Sequence, residues 1–150
     1  ISFIDLDHFW IPQSLINFGF LSGLINLTFI SILDKDIFAK YFFQGLVASL
    51  LSYLLFEILR LIAKKIYKRE ALGKGDSKLV SMMAIWLGPL GISLGIAISY
   101  VIAAIFLTIL LRFKKIKIDQ MIPFAPFLCT GGITVWYFGN EFLLKLIYRI

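Results

Sequence analysis

The chain has 150 residues and a net charge of +6, and 60% of its residues are hydrophobic while only 16% are charged. With a mean hydropathy of +0.92, it has too little polar surface to cover a water-soluble domain of this length. The composition therefore excludes an ordinary soluble protein. It predicts one membrane-embedded domain over residues 1–150, built as an all-α bundle, because helices satisfy their backbone hydrogen bonds within a bilayer.

The positions of the basic residues argue against nucleic acid as a partner. Ten of the fifteen Lys and Arg residues lie in two short segments, 64–78 and 112–117. Basic clusters beside apolar stretches follow the positive-inside rule, whereas a nucleic-acid site requires an exposed basic face on a soluble element. Both segments are therefore predicted to be cytoplasmic.

The sequence offers few side chains for metal or nucleophilic chemistry. Cys129 is its only cysteine and His8 its only histidine, which excludes an internal disulfide and a Cys/His zinc site. A Ser-His-Asp triad would depend on His8. The chemistry is therefore expected to come from carboxylates, with no metal and no cofactor.

The first two predicted spans are residues 11–33 and 41–62. Segment 11–33 has no charged residue and would extend about 34 Å as a helix, enough to cross a hydrocarbon core. A short loop is predicted between the spans, and it carries four charged residues: Asp34, Lys35, Asp36 and Lys40.

The next apolar stretch, residues 79–111, is longer than one span requires. Gly88, Pro89 and Gly91 predict a break, which leaves a short helix over 79–87 and a full span over 92–111. Four to five spans are expected in all. Because the chain starts with an apolar run at Ile1, an earlier helix is expected to be missing.

The last apolar segment is predicted over residues 122–147. Four residues are expected to interrupt it early: Pro123, Pro126, Gly131 and Gly132. The two adjacent glycines are better explained by close packing of helices.

Crossing the spans from the basic segments places Asp5, Asp7 and Asp76 at the cytoplasmic face. Two carboxylates brought within a few ångströms share one proton, because both cannot easily be ionised. Such a pair can activate a water molecule against a peptide carbonyl. The sequence thus predicts a candidate aspartyl pair.

Three sequence blocks resemble one family. Gly73-Lys74-Gly75-Asp76 resembles the Gly-x-Gly-Asp motif of membrane aspartyl proteases, and the Lys-Leu at 78–79 resembles its form in the type IV prepilin peptidases. Asp5 followed by Ile11-Pro12 is similar to that family's other catalytic block. The segment 123–128, Pro-Phe-Ala-Pro-Phe-Leu, resembles its Pro-Phe-Gly-Pro-Phe-Leu stretch.

The resemblance implies a membrane aspartyl endopeptidase that cuts short basic leader peptides from prepilins or prepilin-like secretion proteins (pseudopilins). It implies Asp5 and Asp76 as the catalytic residues. It places four further residues near the substrate: Pro12, Gly73, Gly75 and Lys78. The partners implied are a pilin or pseudopilin substrate helix and the lipid bilayer, in the cytoplasmic membrane of a bacterium or archaeon with the active site facing the cytoplasm.

The sequence departs from the family pattern in three respects. Gln13 replaces the usual Asp or Asn, and Ala125 replaces the usual Gly. The paired Cys-x-x-Cys motifs of many bacterial members are absent from this sequence, so methyltransferase activity is not expected of this chain alone.

Several residues have structural alternatives. Asp5 could instead be an acid at a helix end, and Asp7 is the rival candidate for its catalytic position. Asp76 could be the N-cap of a helix that begins near Ser77. Gly73 and Gly75 could adopt positive φ near a substrate or form a flexible loop. Lys78 could act on Asp76 or extend to the interface.

Glu57 and Arg60 have the spacing of an ion pair on one helix, and Cys129 is expected to be a packing residue.

Two other functions fit parts of the sequence. A presenilin-like or signal-peptide-peptidase-like protease shares Gly-x-Gly-Asp but has a Pro-Ala-Leu block where this chain has 123–126. A transporter or noncatalytic assembly subunit could use paired acids, although no inverted repeat is visible.

The predicted topology can be tested by cysteine substitution. Cysteines at Lys68 and Lys115 should be shielded from an impermeant thiol reagent applied outside the cell, whereas one at Lys35 should be labelled, because basic loops stay in the cytoplasm. Labelling of position 68 from outside would contradict the shared face of Asp5 and Asp76.

Overall fold

The computed structural model describes residues 13–33, 35–68, 73–113 and 124–148, and every regular element in these ranges is an α-helix. The five helices are α1 (Gln13–Leu33), α2 (Lys35–Tyr67), α3 (Lys74–Arg112), α4 (Ala125–Phe138) and α5 (Asn140–Tyr148). The predicted all-α class is confirmed.

The predicted loop between the first two spans is wrong over most of its length. Helix α2 already begins at Lys35, so Asp36 and Lys40 lie within the helix. The segment between Asp34 and Gly45 contains neither glycine nor proline, and charged side chains such as lysine are compatible with a helix.

The predicted break in the long apolar stretch is confirmed at Gly88. This residue lies inside α3 with φ 69° and ψ −179°, a region of backbone conformation open almost only to glycine. Pro89 follows, at a position where a helix needs no N–H donor. We call the two parts α3a (residues 74–87) and α3b (residues 89–112).

The break folds α3b back along α3a. Asp76 and Tyr100 lie twelve residues before and twelve residues after Gly88, so an unbroken helix would separate them by about 36 Å. The two side chains instead interact electrostatically. The short helix also begins earlier than predicted, at Lys74 rather than Leu79, because Gly75 and Asp76 belong to its first turn.

The early interruptions predicted in the last segment are wrong for Pro126, Gly131 and Gly132. All three lie within α4; Pro126 falls in its first turn, where proline is tolerated. The break lies instead at Gly139, with φ 75° and ψ 156°. Pro123 lies outside the described residues.

Helix α3 is the centre of the bundle. It packs most extensively against α2 and α4 and less against α1. Their common core is a cluster of buried apolar side chains contributed by four helices: Ile16, Ala48, Phe56, Leu79, Val80, Ala84, Ile92, Ala125 and Leu128. Cys129 packs against this cluster as predicted.

Close contact between α3b and α4 explains the adjacent glycines. A Cβ added to Gly131 would overlap the Ser99 hydroxyl and the Gly95 carbonyl oxygen. One added to Gly132 would overlap Met83 of α3a. The predicted close packing is thus confirmed, and α4 contacts both parts of α3.

The outer surface of the bundle is apolar. On α2, for example, Leu51, Leu55 and Ile62 are exposed, and contiguous surfaces of this kind suit lipid rather than water. Within the described ranges, two helical stretches are long and apolar enough to cross a membrane, Phe42–Ile66 and Gly75–Arg112. The count of four to five spans stays a prediction.

Replacing Gly88 by alanine should destabilise the protein by about 1–3 kcal/mol, because the backbone conformation there is strained for any residue with a Cβ. Steric overlap makes no contribution, since an added Cβ meets no atom within 4 Å. Thermal unfolding in detergent measures the effect. Gly95→Ala is the matched control, because Gly95 is helical and its Cβ would come no closer than 3.7 Å to Gly132. Equal stability of the two variants would contradict the argument.

Gly131→Ala should also destabilise the protein, here through overpacking that typically costs about 1–3 kcal/mol. The obstructing Gly95 carbonyl is part of a helix and cannot move aside as a side chain could. The same unfolding assay applies, again with Gly95→Ala on the facing helix as reference. A Gly131→Ala variant as stable as that reference would show that α3b and α4 are not in close contact.

Candidate active site

Asp76 lies in the first turn of α3a, in a buried position. Gly73 is the N-cap, with φ −69° and ψ 142°, and the backbone N–H of Asp76 donates to the Gly73 carbonyl at 3.2 Å. The interpretation of Asp76 as an N-cap is therefore wrong, because the helix begins before it. Asp76 is only 5% exposed and the adjacent Ser77 only 1%.

The two glycines of the motif have different roles from those expected. Gly75 is helical, and Gly73 has a negative φ. Among the described residues, the glycines with positive φ are instead Gly88 and Gly139. The expectation of positive φ is thus wrong, as is that of a flexible loop at Gly75. A Cβ on Gly73 would lie 3.4 Å from Asp76 Oδ2, so glycine leaves that flank of the carboxylate uncovered.

The third motif block lies beside the second. Phe124, the N-cap of α4, packs its ring against Tyr100 with the centroids 5.1 Å apart, and Tyr100 interacts electrostatically with Asp76. Ala125 and Leu128 belong to the same core cluster as Leu79. The reversal at Gly88 makes this neighbourhood possible.

Helix α2 contributes an acid and a base on the other side of Asp76. The predicted ion pair of Glu57 and Arg60 is confirmed. Glu57 Oε2 also accepts a hydrogen bond from the Ser77 hydroxyl, at 3.4 Å. A third carboxylate therefore contacts the residue next to Asp76.

Helix α1 meets the same turn through Lys78. The Lys78 ammonium donates to Gln13 Oε1 at 2.6 Å, at an exposed site, and the Gln13 amide donates to Asn17 Oδ1 at 3.0 Å. Gln13, which departs from the family pattern, is thus the hydrogen-bond partner of Lys78.

An amphipathic cavity of about 390 Å³ opens between α1, α2 and α3a. Its polar part includes Gln13, Asn17 and Lys78, and its apolar part includes Phe20 and Leu24. A groove of about 350 Å³ on the other side of α3a is lined by apolar side chains, among them Met83, Trp86 and Trp136. The cavity beside Lys78 therefore combines polar and apolar contacts close to the Asp76 turn.

Four residues of the first block lie outside the described residues: Asp5, Asp7, His8 and Pro12. The structure thus positions one of the two predicted carboxylates, and their pairing stays a prediction. The first described residue after this block is Gln13, eight positions after Asp5.

Comparison with known proteins gives the family. The model of the type IV leader peptidase family matches residues 1–108, which include Asp5, Asp76 and the whole of α1 and α2. The chain belongs to the type IV leader peptidase family.

Individual relatives agree with this family. The chain is 33% identical over 142 residues to a prepilin leader peptidase/N-methyltransferase of Legionella pneumophila, which covers 94% of this chain and 47% of that protein. It is 30% identical over 141 residues to a prepilin leader peptidase/N-methyltransferase of Stutzerimonas stutzeri, and this match covers 94% of the chain and 46% of that protein. A type 4 prepilin-like proteins leader peptide-processing enzyme of Escherichia coli is 29% identical over 91% of this chain and 46% of its own.

The chain thus spans about half the length of the curated relatives it matches. No solved structure matches it significantly.

Sequence reasoning missed the contacts that Ser77, Tyr100 and Gln13 make around the Asp76 turn. Ser77 carried a signal, because it lies inside the motif and a hydroxyl buried in an apolar bundle needs a partner. Tyr100 carried none without the fold, since its relation to Asp76 depends on where the chain reverses. Gln13 was identified as a departure, but its distance from Lys78 could not be read from the sequence.

Proposed function

We propose that this chain is an aspartyl endopeptidase of the cytoplasmic membrane, which cuts leader peptides from type IV prepilins or prepilin-like proteins. Membership of the leader peptidase family supports the substrate class. The observation that carries the aspartyl chemistry is a carboxylate, Asp76, buried in an apolar bundle at the first turn of a helix. Ionisable groups in such surroundings are rare and are usually functional.

The proposed catalytic unit pairs Asp76 with Asp5. Support comes from the contact between Lys78 and Gln13, which brings the turn of Asp76 next to the helix that follows the Asp5 block. One carboxylate takes a proton from water, the water oxygen bonds to the scissile carbonyl carbon, and the protonated carboxyl donates a hydrogen bond to the carbonyl oxygen. The C–N bond then breaks as the leaving amine takes up a proton. These steps need no covalent intermediate.

The proposed substrate is a pilin or pseudopilin helix that lies in the bilayer with its basic leader at the cytoplasmic face. The amphipathic cavity supports this proposal, because its polar part lies at Lys78 and its apolar part extends along α1. Exposed Lys64, Lys65 and Lys68 at the end of α2 support a cytoplasmic position for this end of the bundle. Pro12, Gly73 and Gly75 are proposed to lie close to the substrate.

Asp76→Asn and Asp5→Asn should each abolish cleavage of prepilin. The assay incubates the purified protein with prepilin in detergent and detects the product by mass spectrometry. Asparagine keeps the shape of aspartate but cannot accept the proton from water, and removal of a general base lowers rates by about 10² to 10⁴. Asp7→Asn is the matched control and should keep most of the activity, because the spacing to Ile11-Pro12 that resembles the family's block falls at Asp5.

Two results would contradict the proposal in different ways. A folded Asp76→Asn variant that cuts at the parent rate would exclude the aspartyl mechanism. Loss of activity in Asp7→Asn, with Asp5→Asn active, would instead move the first catalytic position to Asp7.

A further inference from the structure

A side-chain hydrogen bond joins the first turn of α3a to α2. The Ser77 hydroxyl, in a residue only 1% exposed, donates to Glu57 Oε2 at 3.4 Å. We propose that Glu57 is a positioning residue, which fixes the direction of the Asp76 side chain by holding Ser77. This inference rests on the proposed aspartyl function and assigns Glu57 a part in it.

The argument begins with helix geometry. Asp76 and Ser77 are consecutive residues in the same turn, and in a helix the directions of consecutive side chains are fixed relative to each other. A contact that fixes the rotation of Ser77 about the axis of α3a therefore also fixes that of Asp76. The N-cap, Gly73, makes no side-chain capping bond, so the cap does not contribute to holding this turn.

Glu57 is itself held at both carboxylate oxygens. Oε1 is paired with Arg60 Nη2, while Oε2 faces Ser77. The Arg60 side chain is only 13% exposed, so its neighbours restrict its conformation. The chain of contacts Arg60, Glu57, Ser77 gives the Asp76 turn a rigid support on α2.

The Arg60 guanidinium indicates that stability alone does not explain the pair. Its buried Nε has no hydrogen-bond partner among the residues that the structure describes, and a buried donor without an acceptor is destabilising. Buried ion pairs contribute little net stability even when fully satisfied. Orientation of the neighbouring turn is a function that such a pair can perform.

The other contact of this turn, through Lys78, is shorter but lies at the surface. Lys78 reaches Gln13 at an exposed site, where solvent screens charge and two long side chains must be ordered. Ser77 and Glu57 meet at 3.4 Å, a long hydrogen bond, but in part-buried surroundings, where solvent competes less for the two groups. Glu57 is therefore expected to control the orientation of Asp76 more than Gln13 does.

The kinetic test compares Glu57→Ala, Ser77→Ala and Glu57→Gln in the prepilin cleavage assay. Both alanine variants should lower kcat by about ten- to a hundredfold, the effect of a catalytic group displaced by about an ångström, with KM changed less than about twofold because neither side chain is placed on the substrate. Glu57→Gln should stay within about threefold of the parent, because its amide oxygen can accept from Arg60 while its NH2 group donates to the Ser77 hydroxyl oxygen.

A double variant distinguishes positioning through Ser77 from two separate effects. Glu57→Ala combined with Ser77→Ala should be no slower than the slower single variant, since both break the same contact. Glu141→Gln, at an exposed glutamate of α5, is the matched control and should behave like the parent. A glutamine variant as slow as the alanine variant, or losses that multiply in the double variant, would overturn the proposal.

A second readout does not depend on cleavage. In a Cys129→Ala background, Asp76→Cys places the only thiol of the chain at the buried position. Adding Glu57→Ala should speed its reaction with a maleimide by about two- to tenfold, the factor that one hydrogen bond contributes, while Glu141→Gln should leave it unchanged. An unchanged rate with Glu57→Ala would overturn positioning by Glu57.

The two proposals fail in distinguishable ways. An active Asp76→Asn variant excludes the aspartyl function and with it a catalytic part for Glu57, whatever the labelling shows. An inactive Asp76→Asn variant, combined with parent-like cleavage by Glu57→Ala, excludes Glu57 alone.

Discussion

The reversal of the chain at Gly88 is the constraint on which the rest of the bundle depends. A continuous helix over Gly75–Arg112 would be about 57 Å long, nearly twice the thickness of a hydrocarbon core. Because Gly88 takes a conformation that residues with a Cβ avoid, α3b instead returns along α3a. The return brings Tyr100 to Asp76 and gives α4 a surface made of both parts of α3.

The polar contacts between helices are concentrated on α3a, the shorter part. Among the residues that the structure describes, side-chain hydrogen bonds join it to α1 or α2 at four places: Lys78 to Gln13, Trp86 to Gly19, Ser77 to Glu57, and the hydroxyls of Ser49 and Ser81 with each other. In surroundings as apolar inside as outside, hydrophobic burial does not drive helices together, so such bonds and close packing decide how they associate. The helix that carries Asp76 is thus held by polar contacts to two neighbouring helices.

The sequence predicted the fold class and the break at Gly88 because both depend on local signals. Apolar stretches indicate helices, and Gly-Pro at 88–89 indicates a break. The same reasoning was wrong about an interruption at Gly131 and Gly132, although the close packing also predicted there is confirmed; glycine can mark either, and only the facing helix decides which. Gly139 was missed although Asn140, a residue common in turns, follows it, because the apolar stretch continues on both sides of the pair.

In the candidate site, too, local features could be predicted from the sequence and contacts between distant segments could not. The motif identified Asp76 directly, and the spacing of Glu57 and Arg60 on one helix was enough to predict their ion pair. The contact of Ser77 with Glu57 joins segments twenty residues apart through a loop, so no helical periodicity relates them. The interaction of Tyr100 with Asp76 depends on the angle at Gly88, which residue types alone do not give.

The length of α3a has a consequence for water. Residues 74–87 form a helix of about 21 Å, whereas a bilayer core is about 30 Å thick. Asp76 at one end and Gly88 at the other therefore cannot both reach the two surfaces of an undeformed bilayer. Either the bilayer becomes thinner beside α3a, or one end of the helix lies within the hydrocarbon core. A thinner bilayer reduces this difference between helix length and core thickness. In a membrane, bilayer thickness would therefore influence how deeply this carboxylate lies and how readily water reaches it.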